Sequence, residues 1–264
     1  MDQWTESQDG AAEEGSFGIS PVKPPAAYEL VVEQIRRALA LGRFKPGDML
    51  PSERVLTQQL GVSRTVVREA IRVLEGEGLL EVTRGASGGS RVLPPAGEQR
   101  LSAEELAAQA GEVDQVSDFR LATECAAARL AAERRSDEEA ARIAELLSRQ
   151  DEQLEQIAAS EDEAERSRLT ASFIELDNRF HLAIAAASHN HFLVEAVEKV
   201  RIVMHRPVGM IFSTTSEDAN YQHREIAEAI AAGDGEAAAR AMADHIEATR
   251  ATTLRLMQSP AEKG

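Results

Sequence analysis

The segment from Pro51 to Gly89 restricts the possible folds of this chain more than any other part of its sequence. Two serines, Ser52 and Ser63, stand directly before helix-forming runs, where a hydroxyl can accept a free amide proton of the first turn. Gly61 lies between the two runs, and glycine tolerates the left-handed conformation that ends many helices. The pattern predicts a short first helix, a tight turn at Gly61 and a second helix.

The second predicted helix, from Arg64 to Glu75, carries two different faces. Its apolar residues recur at helical spacing, and they are Val67, Ala70, Ile71 and Leu74. Three arginines at intervals of four residues, Arg64, Arg68 and Arg72, share the face roughly opposite to the apolar one. Neighbouring glutamates also allow a solvated, ion-paired face, and this is the expected state of Arg72.

Beyond Gly78 the pattern changes from helical to strand-like. Leu79 to Thr83 and Ser90 to Leu93 are short β-prone runs, joined by the glycine-rich segment RGASGG. The tip of this predicted hairpin carries Arg84 and Gly85. Two helices followed by such a hairpin predict a winged helix-turn-helix, in which the hairpin is the wing.

A positive face on the second helix of such a unit is typical of proteins that bind DNA. The helix can enter the major groove, where one arginine can donate two hydrogen bonds to a guanine while others contact phosphates. Hydroxyl groups at the start of the helix and the tip of the wing can add contacts. The candidate DNA-binding residues are Arg54, Ser63, Arg64, Thr65, Arg68, Arg84 and Gly85.

The segment from Tyr28 to Leu93 contains GRFKPGDMLPSERVLTQQLGVSRTVVREAIRVLEGEGLL. It closely resembles the amino-terminal domain of the GntR family of bacterial transcription regulators. The resemblance implies that Arg54, Arg64 and Arg68 match arginines that contact operator DNA in that family. Val66 stands where many relatives have proline, a change that leaves the arginine face intact.

The composition of the whole chain favours helices and a soluble, cytoplasmic protein. Hydrophobic residues make up 43% of the sequence but aromatic residues only 4%, so the cores must consist mainly of aliphatic side chains. The single cysteine, Cys125, excludes an internal disulfide framework. Residues 1–25 lack the apolar core of a secretion signal, and no apolar run approaches the roughly 20 residues that span a bilayer.

The net charge of −16 would oppose DNA binding if it were spread evenly along the chain. Residues 26–93 carry 10 Lys or Arg against 8 Asp or Glu, a balance of +2, whereas residues 1–25 carry −4 and residues 94–264 carry −14. An acidic remainder repels nucleic acid everywhere except at the predicted DNA-binding unit, which limits non-specific binding.

Composition also divides the chain into regions. Residues 1–25 are rich in Gly, Ser, Glu and Pro, which predicts a disordered acidic tail, and LPPAGEQR has the proline and polar content of a linker. The expected regions are the tail at 1–25, the winged helix-turn-helix at 26–93, the linker at 94–100, a second domain at 101–257 and a short tail at 258–264.

The second domain contains helical patterns and no convincing strand. The seven patterns cover Ala103–Gln109, Val113–Arg134, Asp137–Ala159, Glu161–Ala187, Asn190–Met204, Glu217–Ala232 and Gly235–Met257. The expected fold is therefore mainly α, with an all-α bundle of six to seven helices after the N-terminal winged helix-turn-helix.

The histidines of the predicted bundle carry its chemistry. In FIELDNRFHLAIAAASHN, Asp177 and His181 are four residues apart and share a helix face, while His223 and His245 lie on two later helices. One carboxylate and three imidazoles suit a divalent metal ion, with Zn expected first and Ni or Mn as alternatives. The other interpretation is a set of ordinary, hydrogen-bonded core histidines.

The region from Leu101 to Met257 is similar to the FCD ligand-binding domain, which defines the FadR-type branch of the GntR family. The similarity rests on Asp177, His181, His223 and His245, which fill all four positions of the family pattern. It implies a bound divalent metal whose open coordination positions accept a small carboxylate effector.

Arg120 and Glu124 match the family's RxxxE motif near the start of the first long bundle helix. Arg120 can bind an effector carboxylate through two hydrogen bonds, or it can pair with Glu124 as an i,i+4 salt bridge. His205, at a predicted helix end, is a further candidate for the effector site. The sequence departs from the family pattern at Thr123, where leucine is usual, and at His189 to His191, where GNP is commoner.

These features predict a transcription regulator that binds a palindromic double-stranded operator as a homodimer. A small organic acid at the metal site would control it, and repression is the expected effect. One alternative is a metal-dependent hydrolase with an accessory DNA-binding domain, although the sequence shows neither a general base near the metal nor a substrate-binding motif. Another alternative is a structural DNA-bound protein without an effector.

Overall fold

The computed structural model describes residues 26–83, 85, 88–93, 103–204 and 217–258. The expected tail at 1–25, the linker at 94–100 and residues 259–264 lie outside the described residues, as do the candidates Arg84 and His205. Within the described ranges the chain forms nine helices and one two-stranded sheet, so the fold is mainly α, as the sequence predicts.

The described residues of the N-terminal part form three helices and a hairpin. Its elements are α1 (Ala27–Ala40), α2 (Glu53–Leu60), α3 (Arg64–Gly76), β1 (Leu80–Thr83) and β2 (Gly89–Val92). The two strands pair antiparallel, with Leu80 opposite Val92 and Thr83 opposite Gly89. This arrangement confirms the winged helix-turn-helix, and it adds α1, a helix that the cap signals of the sequence do not delimit.

The turn between α2 and α3 follows the predicted cap signals. Gly61 has a φ of 66°, and the side chain of Ser63 accepts a hydrogen bond from the amide of Val66 at 3.4 Å. The prediction for Ser52 is wrong in one respect, because it occupies the N-cap position of α2 without a capping hydrogen bond from its side chain. Ser52 is exposed, so water can satisfy both its hydroxyl and the first amides of the helix.

One apolar cluster holds the N-terminal elements together. Its buried members on α3 are Val67, Ala70, Ile71 and Leu74, which are the apolar residues predicted from their spacing. They pack with Val31, Val32 and Ile35 of α1, with Leu56 of α2 and with Leu80 and Val92 of the wing. Because this face of α3 is buried, its arginine face is left on the surface.

The described residues of the C-terminal part form a bundle of six helices. They are α4 (Ala103–Arg134), α5 (Asp137–Ala159), α6 (Glu163–Ala187), α7 (His191–Met204), α8 (Glu217–Ala232) and α9 (Gly235–Gln258). The predicted break near Gly111 is wrong, since α4 continues through that residue. An internal glycine costs a helix only about 1 kcal/mol relative to alanine, and packing of α4 against α6, α7, α8 and α9 offsets this cost.

The core of the bundle is aliphatic, with polar residues set into it. Small side chains of α4, such as Ala128 and Ala131, let it pack closely against bulkier residues, which include Ile143, Phe180, Ile184, Ile226, Ile230, Met242 and Ile246. The buried polar or charged residues include Arg120, Glu124, Gln150, Asn178, His181, Arg201, His223 and His245. In the part of the chain that the structure describes, no helix has the length and apolarity needed to cross a membrane.

Candidate functional site

Three histidines from three helices meet inside the bundle. His181 on α6, His223 on α8 and His245 on α9 are buried, and one ring nitrogen of each lies within 4.8 Å of the others. Nε2 of His223 lies 3.4 Å from Nε2 of His245. The structure therefore brings together the three imidazoles that the sequence singles out.

Asp177 joins this group from the same helix as His181. Its Oδ1 lies 3.5 Å from Nε2 of His223 and 3.7 Å from Nε2 of His181. A tetrahedral ion with bonds of about 2.1 Å needs donor atoms about 3.4 Å apart. Asp177 Oδ1 stands close to this separation from two of the three histidines, so it can complete a ligand set with them once the side chains close around an ion.

Two buried acceptors orient the histidine rings. Nδ1 of His223 lies 3.1 Å from Oε1 of Gln150, and Nδ1 of His181 lies 2.6 Å from Oε2 of Glu124. The second contact departs from ideal hydrogen-bond angles, but at this distance two bare lone pairs would repel each other, so a proton must lie between the atoms. A ring that donates from Nδ1 keeps the lone pair of Nε2 available for an ion.

Burial and neighbouring charges determine the protonation of the candidate ligands. Burial lowers the pKa of His223 to about 3 and also lowers the pKa of His245, so both rings are neutral, as metal binding requires. Desolvation by the protein would raise the pKa of Asp177. The charge of Arg201 outweighs that effect and holds this pKa well below its usual range.

Arg120 and Glu124 form a buried pair on α4. Nε of Arg120 donates to Oε1 of Glu124 at 2.6 Å, so the i,i+4 salt bridge is present. Desolvation would raise the pKa of Glu124, but the charge of Arg120 outweighs it and keeps this carboxyl ionised. Nη2 of Arg120 has no hydrogen-bond partner among the described residues, so the salt bridge leaves donor capacity for a ligand.

Sequence patterns do not identify two of the buried polar residues around the histidines, and for a third residue they identify only one of its two contacts. Gln150 and Asn178 are fully buried, yet neither belongs to a motif. Glu124 was expected only as a partner of Arg120, whereas it also contacts His181. A signal does exist for Gln150, because it follows Ile143, Leu146 and Leu147 at the spacing of a buried helix face.

The candidate DNA contacts lie on the surface of the N-terminal part. The exposed members are Arg54, Ser63, Arg64, Thr65, Arg68 and Gly85. Nε of Arg68 donates to the carboxylate oxygens of Glu53 at 2.9 and 3.1 Å, so an ion pair joins α3 to α2. Arg72 lies 3.4 Å from Glu69, as expected for a solvated helix face. Gly85 has a φ of 123°, a conformation that favours glycine at the wing.

Comparisons with known proteins agree with both parts of the fold. Residues 27–89 match the gntR family of bacterial regulatory proteins, and residues 115–248 match the FCD domain. The Uxu operon transcriptional regulator of Escherichia coli K12 is 31% identical over 229 residues, which cover 83% of this chain and 84% of that protein. The Glc operon transcriptional activator of the same strain is 29% identical over 228 residues, which cover 84% and 87%.

Among solved structures, E. coli McbR/YncC shares the fold. Its TM-score is 0.52 at 20% sequence identity, and the match covers 88% of this chain and 99% of that one. The matched families and relatives are transcriptional regulators and not enzymes, which excludes the hydrolase alternative. The chain therefore belongs to the gntR family of bacterial regulatory proteins, as a transcriptional regulator with a C-terminal FCD effector-binding domain.

Proposed function

We propose that this regulator binds a divalent metal through Asp177, His181, His223 and His245 and holds a small carboxylate effector beside it. The observation that carries the proposal is the convergence of three histidine nitrogens within 4.8 Å of one another, with Oδ1 of Asp177 lying 3.5 Å from Nε2 of His223 and 3.7 Å from Nε2 of His181. Zinc suits this nitrogen-rich set, and nickel or manganese are the alternatives. A bound ion supplies positive charge and coordination positions for an anion.

The charge balance of the cluster favours an anionic effector. Two guanidinium groups, those of Arg120 and Arg201, face two ionised carboxylates, those of Glu124 and Asp177. The three histidines that join them are buried. The cluster is therefore close to neutral before an ion enters, and a divalent ion leaves an excess of positive charge. Uncompensated charge inside a protein is costly, so binding of an anion is favourable.

Arg120 is the proposed protein contact for the effector carboxylate. Its Nε is committed to Glu124, while its Nη2 is buried without a described partner. An arginine that donates in this way to a carboxylate gives a strong, directional bond. His205 remains a second candidate for the effector site.

The metal proposal is tested by metal analysis and thermal unfolding of the full-length protein, with a panel of small organic acids. We expect about one ion per chain and a higher Tm with ion and acid, because a ligand at 100 times its Kd stabilises the native state by about 2.7 kcal/mol. His223→Ala should lose both the ion and the shift. His191→Ala is the matched control, because His191 is exposed at the start of α7. Retention of ion and shift by His223→Ala would contradict the proposal.

We further propose that the regulator binds a palindromic operator as a homodimer and represses transcription from it. One chain presents one α3, which reads one half-site, and a two-fold pair of such helices matches a palindrome. Repression needs only occupation of the operator. Light scattering should give the mass of a dimer, and a reporter gene should become more active when the regulator is deleted. A monomer bound to one half-site, or a less active reporter, would contradict these parts of the proposal.

A further inference from the structure

A series of hydrogen bonds runs from the candidate metal site to the DNA-binding part of the chain. Arg201 on α7, which is buried, donates from Nη2 to Oδ2 of Asp177 and from Nε to Oδ1 of Asn178 at 2.7 Å. Nδ2 of Asn178 donates to the carbonyl oxygen of Ala40 at 3.3 Å. Ala40 is the last residue of α1, so the series crosses from the bundle to the winged helix-turn-helix.

The carbonyl at the end of this series is one that a helix leaves unsatisfied. The last four carbonyl groups of a helix have no partner within it, and a buried one needs a donor from elsewhere. Asn178 supplies that donor to α1, although it is 138 residues away in sequence. α1 in turn packs against α3 through the shared apolar cluster, so the position of α1 bears directly on the proposed recognition helix.

Among the residues that the structure describes, the other polar contacts between the two parts do not reach the candidate metal site. Arg37 on α1 forms an ion pair with Glu198 on α7, and Nζ of Lys45 lies 3.3 Å from Oε2 of Glu175 on α6. Gly42 lies so close to α6 that an added Cβ would stand 2.8 Å from Cβ of Glu175. These contacts hold the two parts together without involving a candidate metal ligand. The hydrogen bonds of Asn178, in contrast, lead through Arg201 to Asp177.

We infer that Arg201 and Asn178 form a relay through which occupancy of the metal site changes the docking of α1. This inference rests on the proposed metal site. An ion at Oδ1 of Asp177 competes with the guanidinium of Arg201 for the charge of one carboxylate and also repels that guanidinium. The amide of Asn178 is planar, and it accepts from Arg201 through Oδ1 and donates to Ala40 through Nδ2. When Arg201 moves, it pulls on Oδ1 of Asn178, and the rigid amide carries Nδ2 away from the carbonyl of Ala40. Metal binding therefore weakens the docking of α1.

Hydrogen exchange on the full-length protein tests the relay, with Zn²⁺ alone as the probe. The peptide to follow covers residues 38–48, in which the amides of Leu41, Gly42 and Arg43 are bonded to carbonyls of the last turn of α1. In the wild-type protein Zn²⁺ should speed exchange of these amides by about fivefold, the lower end of ordinary coupling between sites. Calorimetry on the same samples shows whether Zn²⁺ binds.

Asn178→Asp is the decisive variant. An aspartate oxygen still accepts from Nε of Arg201 but has no proton to donate to Ala40, so exchange should be fast with and without Zn²⁺. Asn178→Ala removes both hydrogen bonds, and its exchange should also be fast with and without Zn²⁺. This variant replaces Asn178→Asp in the test if the added charge prevents folding. Arg37→Ala is the matched control, since it weakens the docking outside the relay and should keep the response to Zn²⁺.

Two results would overturn the relay while leaving the metal site intact. One is wild-type protein that binds Zn²⁺ without a change in residues 38–48, and the other is an Asn178 variant that keeps the wild-type response. Wild-type protein that does not bind Zn²⁺ at all would instead refute the proposed metal site, and the relay with it.

Discussion

Oε1 of Gln150 lies 3.1 Å from Nδ1 of His223, and both side chains are buried in the bundle. Gln150 comes from α5 and His223 from α8, so the contact also joins two helices. The amide oxygen can only accept, which requires the proton of the neutral ring to be on Nδ1. Nε2 is then left with its lone pair on the side of Asp177, the orientation that a metal ligand needs.

Replacement of Gln150 should therefore weaken metal binding without removing a ligand. We expect Gln150→Leu to lower the affinity for Zn²⁺ by about 10- to 100-fold, the usual effect of losing a partner that orients a ligand. Competition with a chromophoric chelator measures this affinity. Gln156→Leu, an exposed position on the same helix, is the control and should bind as the wild type does. Equal affinities for all three proteins would show that Gln150 does not orient His223.

The arginine face of α3 gives a second prediction. Arg64 lies at the first turn of α3, where a side chain reaches base edges, whereas Arg72 lies two turns later beside Glu69. Arg64→Ala should weaken binding to a duplex selected from random sequence by about 5- to 150-fold, corresponding to 1–3 kcal/mol for a bidentate contact. Arg72→Ala should change it much less. Fluorescence anisotropy measures both, and equal losses would refute the assignment of Arg64.

The ion pair between Arg68 and Glu53 gives a third prediction. In the absence of DNA the carboxylate of Glu53 occupies Nε of Arg68, and it also places negative charge on the surface that would face phosphates. Glu53→Gln should therefore strengthen DNA binding severalfold, with a larger gain at low salt. Glu69→Gln frees Arg72 instead and should have a smaller effect. Weaker binding by Glu53→Gln would show that the pair positions Arg68 for DNA.

Stability should depend on pH through Glu139 at the start of α5. Its carboxylate accepts from the amide of Ser136 at 2.7 Å and lies 3.0 Å from Nε2 of His189. The bond from Ser136 and the contact with His189 lower the pKa of Glu139. Because the folded pKa lies below the unfolded value of about 4.3, the stabilisation is present above that value and is lost as pH falls through the folded pKa.

Glu139→Gln should accordingly lower the free energy of unfolding at pH 7 by less than about 1 kcal/mol, since the side chain is partly exposed and solvent screens its interactions. Urea titrations should show the difference from wild type at pH 7 and its progressive loss as pH falls below the unfolded pKa of about 4.3. Glu138→Gln, at the neighbouring position of the same first turn, controls for the loss of one charge near the helix dipole. A difference that persists unchanged at low pH would contradict the assignment.

Features with local causes could be predicted from the sequence. The left-handed Gly61, the cap at Ser63 and the buried face of α3 follow from the preferences of those residues and from helical spacing. The convergence of His181, His223 and His245 was expected from a family pattern, and the fold places them together.

Features that depend on packing between distant segments could not be predicted. The bond from Asn178 to Ala40 and the pair of Arg68 with Glu53 join positions whose neighbours are set by the docking of whole helices. The continuity of α4 through Gly111 has the same origin, because contacts with four other helices outweigh a local preference for a break.

The most direct test of the account is the affinity of the full-length protein for its selected duplex under three conditions. These are removal of metal by a chelator, loading with Zn²⁺, and loading with Zn²⁺ plus the acid that gives the largest thermal shift. We predict that Kd changes by at least about fivefold between conditions for the wild type and stays constant for His223→Ala. An identical Kd in all three conditions, for wild-type protein shown to hold both metal and acid, would contradict the account.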